Sequence, residues 1–135
     1  MKIKGREVID VNFTWTLDEM EQFMKENWDT TEQPEFTRGK PQPMSIEEFL
    51  MLPATPNMLV IAYPRKNKVI FSVAQNKEGA KTLALTAIPS HNTIYNIAKS
   101  AATLSLTKEM KGPAAEICAL YAEYMKELLQ EKGLL

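Results

Sequence analysis

The stretch Met58-Leu59-Val60-Ile61-Ala62-Tyr63-Pro64-Arg65-Lys66-Asn67-Lys68-Val69-Ile70-Phe71-Ser72-Val73-Ala74-Gln75 decides the fold, because two apolar runs flank a short polar break. Val69, Phe71 and Val73 alternate with Ile70, Ser72 and Ala74, which is the period-2 signature of a strand. Met58 to Tyr63 is rich in residues that suit a pleated surface. The break Pro64 to Lys68 is about five residues long, far shorter than a parallel crossover, so the two runs are expected as antiparallel neighbours. A third run, Lys81 to Ile88, follows after Asn76-Lys77-Glu78-Gly79-Ala80, with Leu83, Leu85 and Ala87 alternating with Thr82, Ala84 and Thr86. One face of this sheet is bulky and the other small or polar, which predicts a sheet covered by helices on one side.

Upstream, Ile9, Val11, Phe13 and Trp15 alternate with Asp10, Asn12 and Thr14, predicting a half-buried strand over Val8 to Trp15. Thr16-Leu17-Asp18-Glu19 has the capping-box form, so a helix is expected to begin at Leu17 and stop near Trp28, with Met20, Phe23 and Met24 on its apolar face. Residues 29–44 hold three prolines and little periodicity, and read as an irregular surface excursion. Ser45-Ile46-Glu47-Glu48 is a second capping box, expected to open a short helix through Phe49, Leu50 and Leu52 that Pro53 ends.

Beyond Pro89, Asn92 is placed to cap a helix carrying Ile94, Ile97, Ala98 and Ala101, while Thr103 to Thr107 also suits a strand. Gly112-Pro113 breaks the chain before a final helix with the stripe Ile117, Leu120, Tyr121, Tyr124 and Leu128, ending before Gly133. The expected architecture is a single α+β domain over residues 1–135. It is a two-layer sandwich in the order β-α-(short α)-β-β-β-α-α, with an antiparallel sheet of about four strands and helices on one face.

Composition bounds the function. The 135 residues are 44% hydrophobic and 24% charged, an ordinary globular balance. Sixteen basic against 17 acidic side chains give a net charge of −1, so no global field favours nucleic acid or an anionic membrane. The N-terminal residues lack the apolar run of a signal peptide, no apolar stretch reaches the length of a membrane span, and the lone Cys118 forms no internal disulfide. These features point to a cytoplasmic protein.

No cofactor or metal motif is present. Gly39-Lys40 lacks the flanking residues of a phosphate-binding loop, and one histidine with one cysteine cannot make a metal site. Ser90-His91-Asn92-Thr93 joins a strand end to a helix start, where free amides suit an anionic ligand and His91 is the candidate acid/base of a small enzyme; the same residues are ordinary helix caps. Arg65, Lys66 and Lys68 form a basic hairpin tip able to face phosphates, although no aromatics interleave as nucleic-acid readers require. Methionines with Phe36, Phe49 and Met51 near the excursion suggest an adaptable apolar groove.

The leading expectation is a non-catalytic regulatory or accessory domain that binds a small molecule or a protein. A small enzyme using His91 and weak nucleic-acid binding through the hairpin are the alternatives. An edge strand such as the first can also pair two chains into a homodimer.

Overall fold

A computed structural model describes residues 5–40, 47–75 and 108–135. The element order is β1 (Arg6–Asp10), α1 (Leu17–Asn27), β2 (Thr37–Gly39), β3 (Phe49–Thr55), β4 (Met58–Arg65), β5 (Lys68–Gln75) and α2 (Pro113–Glu131). The strands form one antiparallel sheet in the order β1-β5-β4-β3-β2. Among the described residues α1 and α2 pack on one face, so the α+β class and two-layer plan hold, with five strands where about four were expected.

The chain enters at one edge of the sheet and starts its meander at the other. Four inter-strand spacings separate β1 from β2, roughly 19 Å at 4.8 Å each. The 11 residues of α1 span about 16 Å, and the flanking segments make up the rest. The expected capping box is present: Glu19 N–H donates to Thr16 Oγ1 at 3.2 Å, and Thr16 N–H donates to Glu19 Oε1 at 3.0 Å. The helix ends at the expected place, with Trp28 as its C-cap.

Four expectations need correction. The first strand is Arg6–Asp10 rather than Val8 to Trp15; Val11 still bonds Asn67, but Phe13 and Trp15 leave the ladder to pack edge-on against each other, centroids 4.9 Å apart. The short helix expected after Ser45 is strand β3. An apolar run of four residues carries both periods, and pairing decides it: Leu50 and Leu52 are buried between β2 and β4, whereas one helical turn would bury less and leave β4 an open edge. Pro53 is tolerated because β2 pairs only with residues 49–51, so its missing N–H breaks no bond on that side. The excursion over residues 29–44 is not wholly irregular, since it supplies β2.

The fourth correction concerns the hairpins, whose turns are tighter than expected. Arg65 pairs with Lys68, leaving a two-residue turn in which Asn67 adopts φ 54°, a left-handed conformation that asparagine accepts. Pro64 lies past the last β3 partner of β4, where it costs no ladder bond on that side. The third run, Lys81 to Ile88, and the Asn92 helix lie outside the described residues.

The core lies between sheet and helices. Ile9, Val11, Leu50, Leu52, Val60, Ala62, Val69 and Phe71 from the sheet meet Met20, Met24 and Trp28 of the α1 region and Cys118, Met125 and Leu129 of α2. The helix α2 starts where expected, at Gly112-Pro113. A Cβ at position 112 would lie 2.9 Å from Lys108 O, so glycine lets the helical turn of residues 108–111 abut α2. Leu50→Ala is expected to lower unfolding free energy by about 2–5 kcal/mol in urea denaturation, the range for a fully buried leucine. A loss below about 1 kcal/mol would contradict β3 as a core strand.

Candidate functional site

Among the described residues, one concavity adjoins the aromatic cluster around Trp28. Its ring meets Tyr124 edge-on at 4.8 Å, Tyr121 at 6.2 Å and Phe36 at 6.4 Å, and its Nε1–H donates to Pro34 O at 3.1 Å. Tyr121 donates its hydroxyl to Pro53 O at 2.6 Å, and the Tyr124 hydroxyl accepts from Asp29 N–H at 3.2 Å. These bonds tie the segment after α1 and the end of β3 to one side of α2.

Between them runs an open groove of about 580 Å³. Its floor and walls are Pro34, Pro53, Ala54, Ile117, Leu120, Tyr121 and Tyr124, and its rim is Glu32, Gln33, Glu123 and Glu127. Of the stripe Ile117, Leu120, Tyr121, Tyr124 and Leu128 expected for the last helix, the first four line one wall of this groove and Leu128 lies in the core. Tyr121 and Leu128 of that stripe are buried with Ala114, Cys118, Ala122, Met125 and Leu129, and Ile117 and Tyr124 are partly buried against the core, so Leu120 alone turns away from it. Leu120 is 64% exposed and lies on the side of α2 away from Cys118.

The groove is acidic. No lysine or arginine lines it, and among the described residues Glu32, Glu123 and Glu127 have no cationic partner. Glu123 and Glu127 stand one helical turn apart, a like-charge spacing that costs a few tenths of a kcal/mol. They also fall in the C-terminal half of α2, where the helix dipole is already negative and the last turn holds no basic residue.

Of the expected ligand residues, the described three, Phe36, Phe49 and Met51, do not share one face of the sheet. Phe36 packs on the helix side against the core, whereas Phe49 and Met51 alternate with buried Leu50 and Leu52 and so lie on the opposite face of the sheet. There Phe49 meets Tyr63 at 5.1 Å, and Met51 lies beside Gly39. Ser90, His91, Asn92 and Thr93 lie outside the described residues.

At the hairpin tip, Arg65 sits 4.4 Å above the Tyr63 ring and pairs with Glu47 at 3.2 Å, while Lys66 and Lys68 are exposed. Arg38 reaches Asp18, Glu21 at 3.2 Å and Glu48 at 3.6 Å, and the hydrogen bonds to Asp18 and Glu21 hold its pKa above the ordinary arginine value. A phosphate approaching Arg65 or Arg38 therefore has to displace a carboxylate. No group of three or more His, Cys, Asp or Glu side chains is arranged for a metal ion among the described residues, and no described helix is long and apolar enough to cross a membrane.

Two ionisable groups have structural roles. Cys118 is buried at the centre of the core face of α2, with its thiol directed at Gly5 O, 3.9 Å away. Burial and the nearby Glu7 charge push its pKa up to about 12, so the reactive thiolate is scarce at neutral pH. Glu109 accepts hydrogen bonds from Thr55 Oγ1, from Asn57 N–H at 2.9 Å and from Asn57 Nδ2 at 3.0 Å, clamping the β3–β4 turn. Burial pushes its carboxyl up, but the bonds from Thr55 and Asn57 outweigh this and hold it below 4.5. Sequence reasoning missed this clamp because its partners are 52 or more residues apart.

The comparisons with known proteins return nothing: no family model matches the chain, and neither a curated protein nor a solved structure matches it significantly.

Two outcomes follow from these groups. A maleimide at pH 8 should leave Cys118 unmodified in the native protein and modify it fully in denaturant; rapid native labelling would contradict its burial. Glu109→Gln should cost about 1–2 kcal/mol at neutral pH. Because the native carboxyl is depressed, its contribution is present above about pH 4.5 and fades as pH falls, so wild type and variant should converge in acid urea titrations.

Proposed function

We propose that this protein is a non-catalytic docking domain that binds a cationic protein segment in the groove along α2. The observation that carries the reading is the exposed Leu120, beside Ile117 at the margin of the core, together with an unneutralised rim of Glu32, Glu123 and Glu127. An exposed leucine within an apolar strip contributes nothing to the folded chain by itself, and clustered apolar exposure marks interaction sites. Carboxylates spaced to repel one another gain from a basic partner, which speeds encounter and sets the register of docking.

The shape favours a peptide over a small molecule. Small-ligand pockets enclose most of their ligand, whereas this groove is open along its length. From Ile117 to Glu127 the wall runs about 15 Å, enough for one face of a short amphipathic helix with apolar anchors. Trp28, Tyr121 and Tyr124 hold the two walls together, so little ordering entropy opposes binding.

A synthetic amphipathic Leu/Lys peptide and its Leu/Glu counterpart test the reading by calorimetry with the full chain. The Leu/Lys peptide should bind with a Kd on the order of 1–10 µM, weaken with added salt, and lose roughly tenfold on Leu120→Asp or on the joint change Glu123→Lys and Glu127→Lys. Equal affinity for the two peptides, or no effect of any of these substitutions, would overturn it.

A further inference from the structure

Among the described residues, the two edges of the sheet are finished differently. The β2 edge is three residues long and ends in Gly39, a short edge of the kind that discourages pairing. The β1 edge is five residues long, Arg6-Glu7-Val8-Ile9-Asp10, with no proline, glycine or bulge. Its ladder to β5 is framed by Val73 N–H to Gly5 O at 2.7 Å and Val11 N–H to Asn67 O at 3.0 Å. Antiparallel pairing alternates, so the odd-numbered residues of β1 bond β5, and Arg6, Val8 and Asp10 turn their N–H and C=O away from the sheet. Val8 is 44% exposed, and Arg6 and Asp10 are exposed without an ion pair among the described residues.

We infer that β1 is the contact surface for a second copy of this chain, joining two five-stranded sheets through an antiparallel β1–β1 pair centred on Val8. A two-fold axis there places Val8 opposite Val8 and Arg6 opposite Asp10, and these are the three residues whose backbone groups face outward. Each of the three cross-axis pairs exchanges two N–H···O bonds, and Arg6 and Asp10 lie on the same sheet face as Val8. Charges on an edge ordinarily repel a neighbour, but opposite signs equidistant from Val8 make this edge complementary to itself.

The helix layer agrees with this placement. A depression of about 150 Å³ runs beside the β1 edge, bordered by Glu7, Ala119, Ala122, Glu123 and Lys126. The two alanines leave room above the strand for the partner, and Glu7 shares the depression with a cation, Lys126. Glu123 borders both this depression and the groove, but the pairing residues Arg6, Val8 and Asp10 are outside the groove, so variants at these positions test the dimer apart from peptide docking.

Sedimentation velocity of the full chain, at on the order of 10–100 µM, is the test. The wild type should show twice the 15.3 kDa chain mass. Val8→Pro removes only an outward N–H, so it should yield a monomer with unchanged far-UV circular dichroism. Arg6→Asp should weaken association roughly tenfold or more by setting like charges opposite each other, and Arg6→Asp with Asp10→Arg should restore it. A wild type that remains monomeric, a folded Val8→Pro protein that remains dimeric, or a double variant no tighter than the single one would each overturn the assignment; should Val8→Pro fail to fold, the charge swap decides alone.

Discussion

The placement of the Trp28 indole is the constraint on which the rest of the described structure depends. It stands at the C-cap of α1, where the backbone must turn out of the helix, and its ring fills the gap between α1, α2 and the incoming chain. Indole N–H in a largely buried setting needs an acceptor, and Pro34 O provides it. That one bond aims the chain toward the far edge of the sheet, where β2 begins. The same ring positions Tyr121 and Tyr124, whose hydroxyls fasten β3 and the segment after α1 to α2.

Helix α2 has more apolar surface than its core contact uses. The stripe containing Cys118, Met125 and Leu129 faces the sheet, Ile117 lies at its margin, and Leu120 faces outward. Such a helix is less soluble than one whose apolar residues all face the core, and the flanking carboxylates offset that by keeping Leu120 ringed with charge. The arrangement is economical for a docking surface, because the walls are held by buried aromatics and the recognition groups stay in water.

Charge follows a similar division on the other side of the molecule. Arginines 38 and 65 are each held by carboxylates from neighbouring elements, which turns a basic-looking turn and excursion into cross-links between β2, α1 and the β3–β4–β5 meander. Exposed pairs of this kind add little stability individually. Their larger effect is on partners, since both arginines are already engaged, whereas Glu32, Glu123 and Glu127 at the groove have no cationic partner among the described residues.

Local patterns alone specified much of this protein. The Thr16–Glu19 box, the alternation in Val69 to Val73, and the Gly112-Pro113 break act within a few residues, and each appears in the structure where its chemistry requires. Residues 49–52 behave differently, since four consecutive apolar side chains satisfy a helix and a strand equally, and only the neighbours β2 and β4 make the extended form the better one. Ile117, Leu120, Tyr121 and Tyr124 likewise form a valid helical stripe, but the rotation of α2 on the sheet decided that Cys118 faces inward and Leu120 outward. The Glu109 clamp and the groove needed residues brought together from distant parts of the chain. Periodicity fixes which residues share a face, whereas the partner each face meets is a property of packing and is set only in three dimensions.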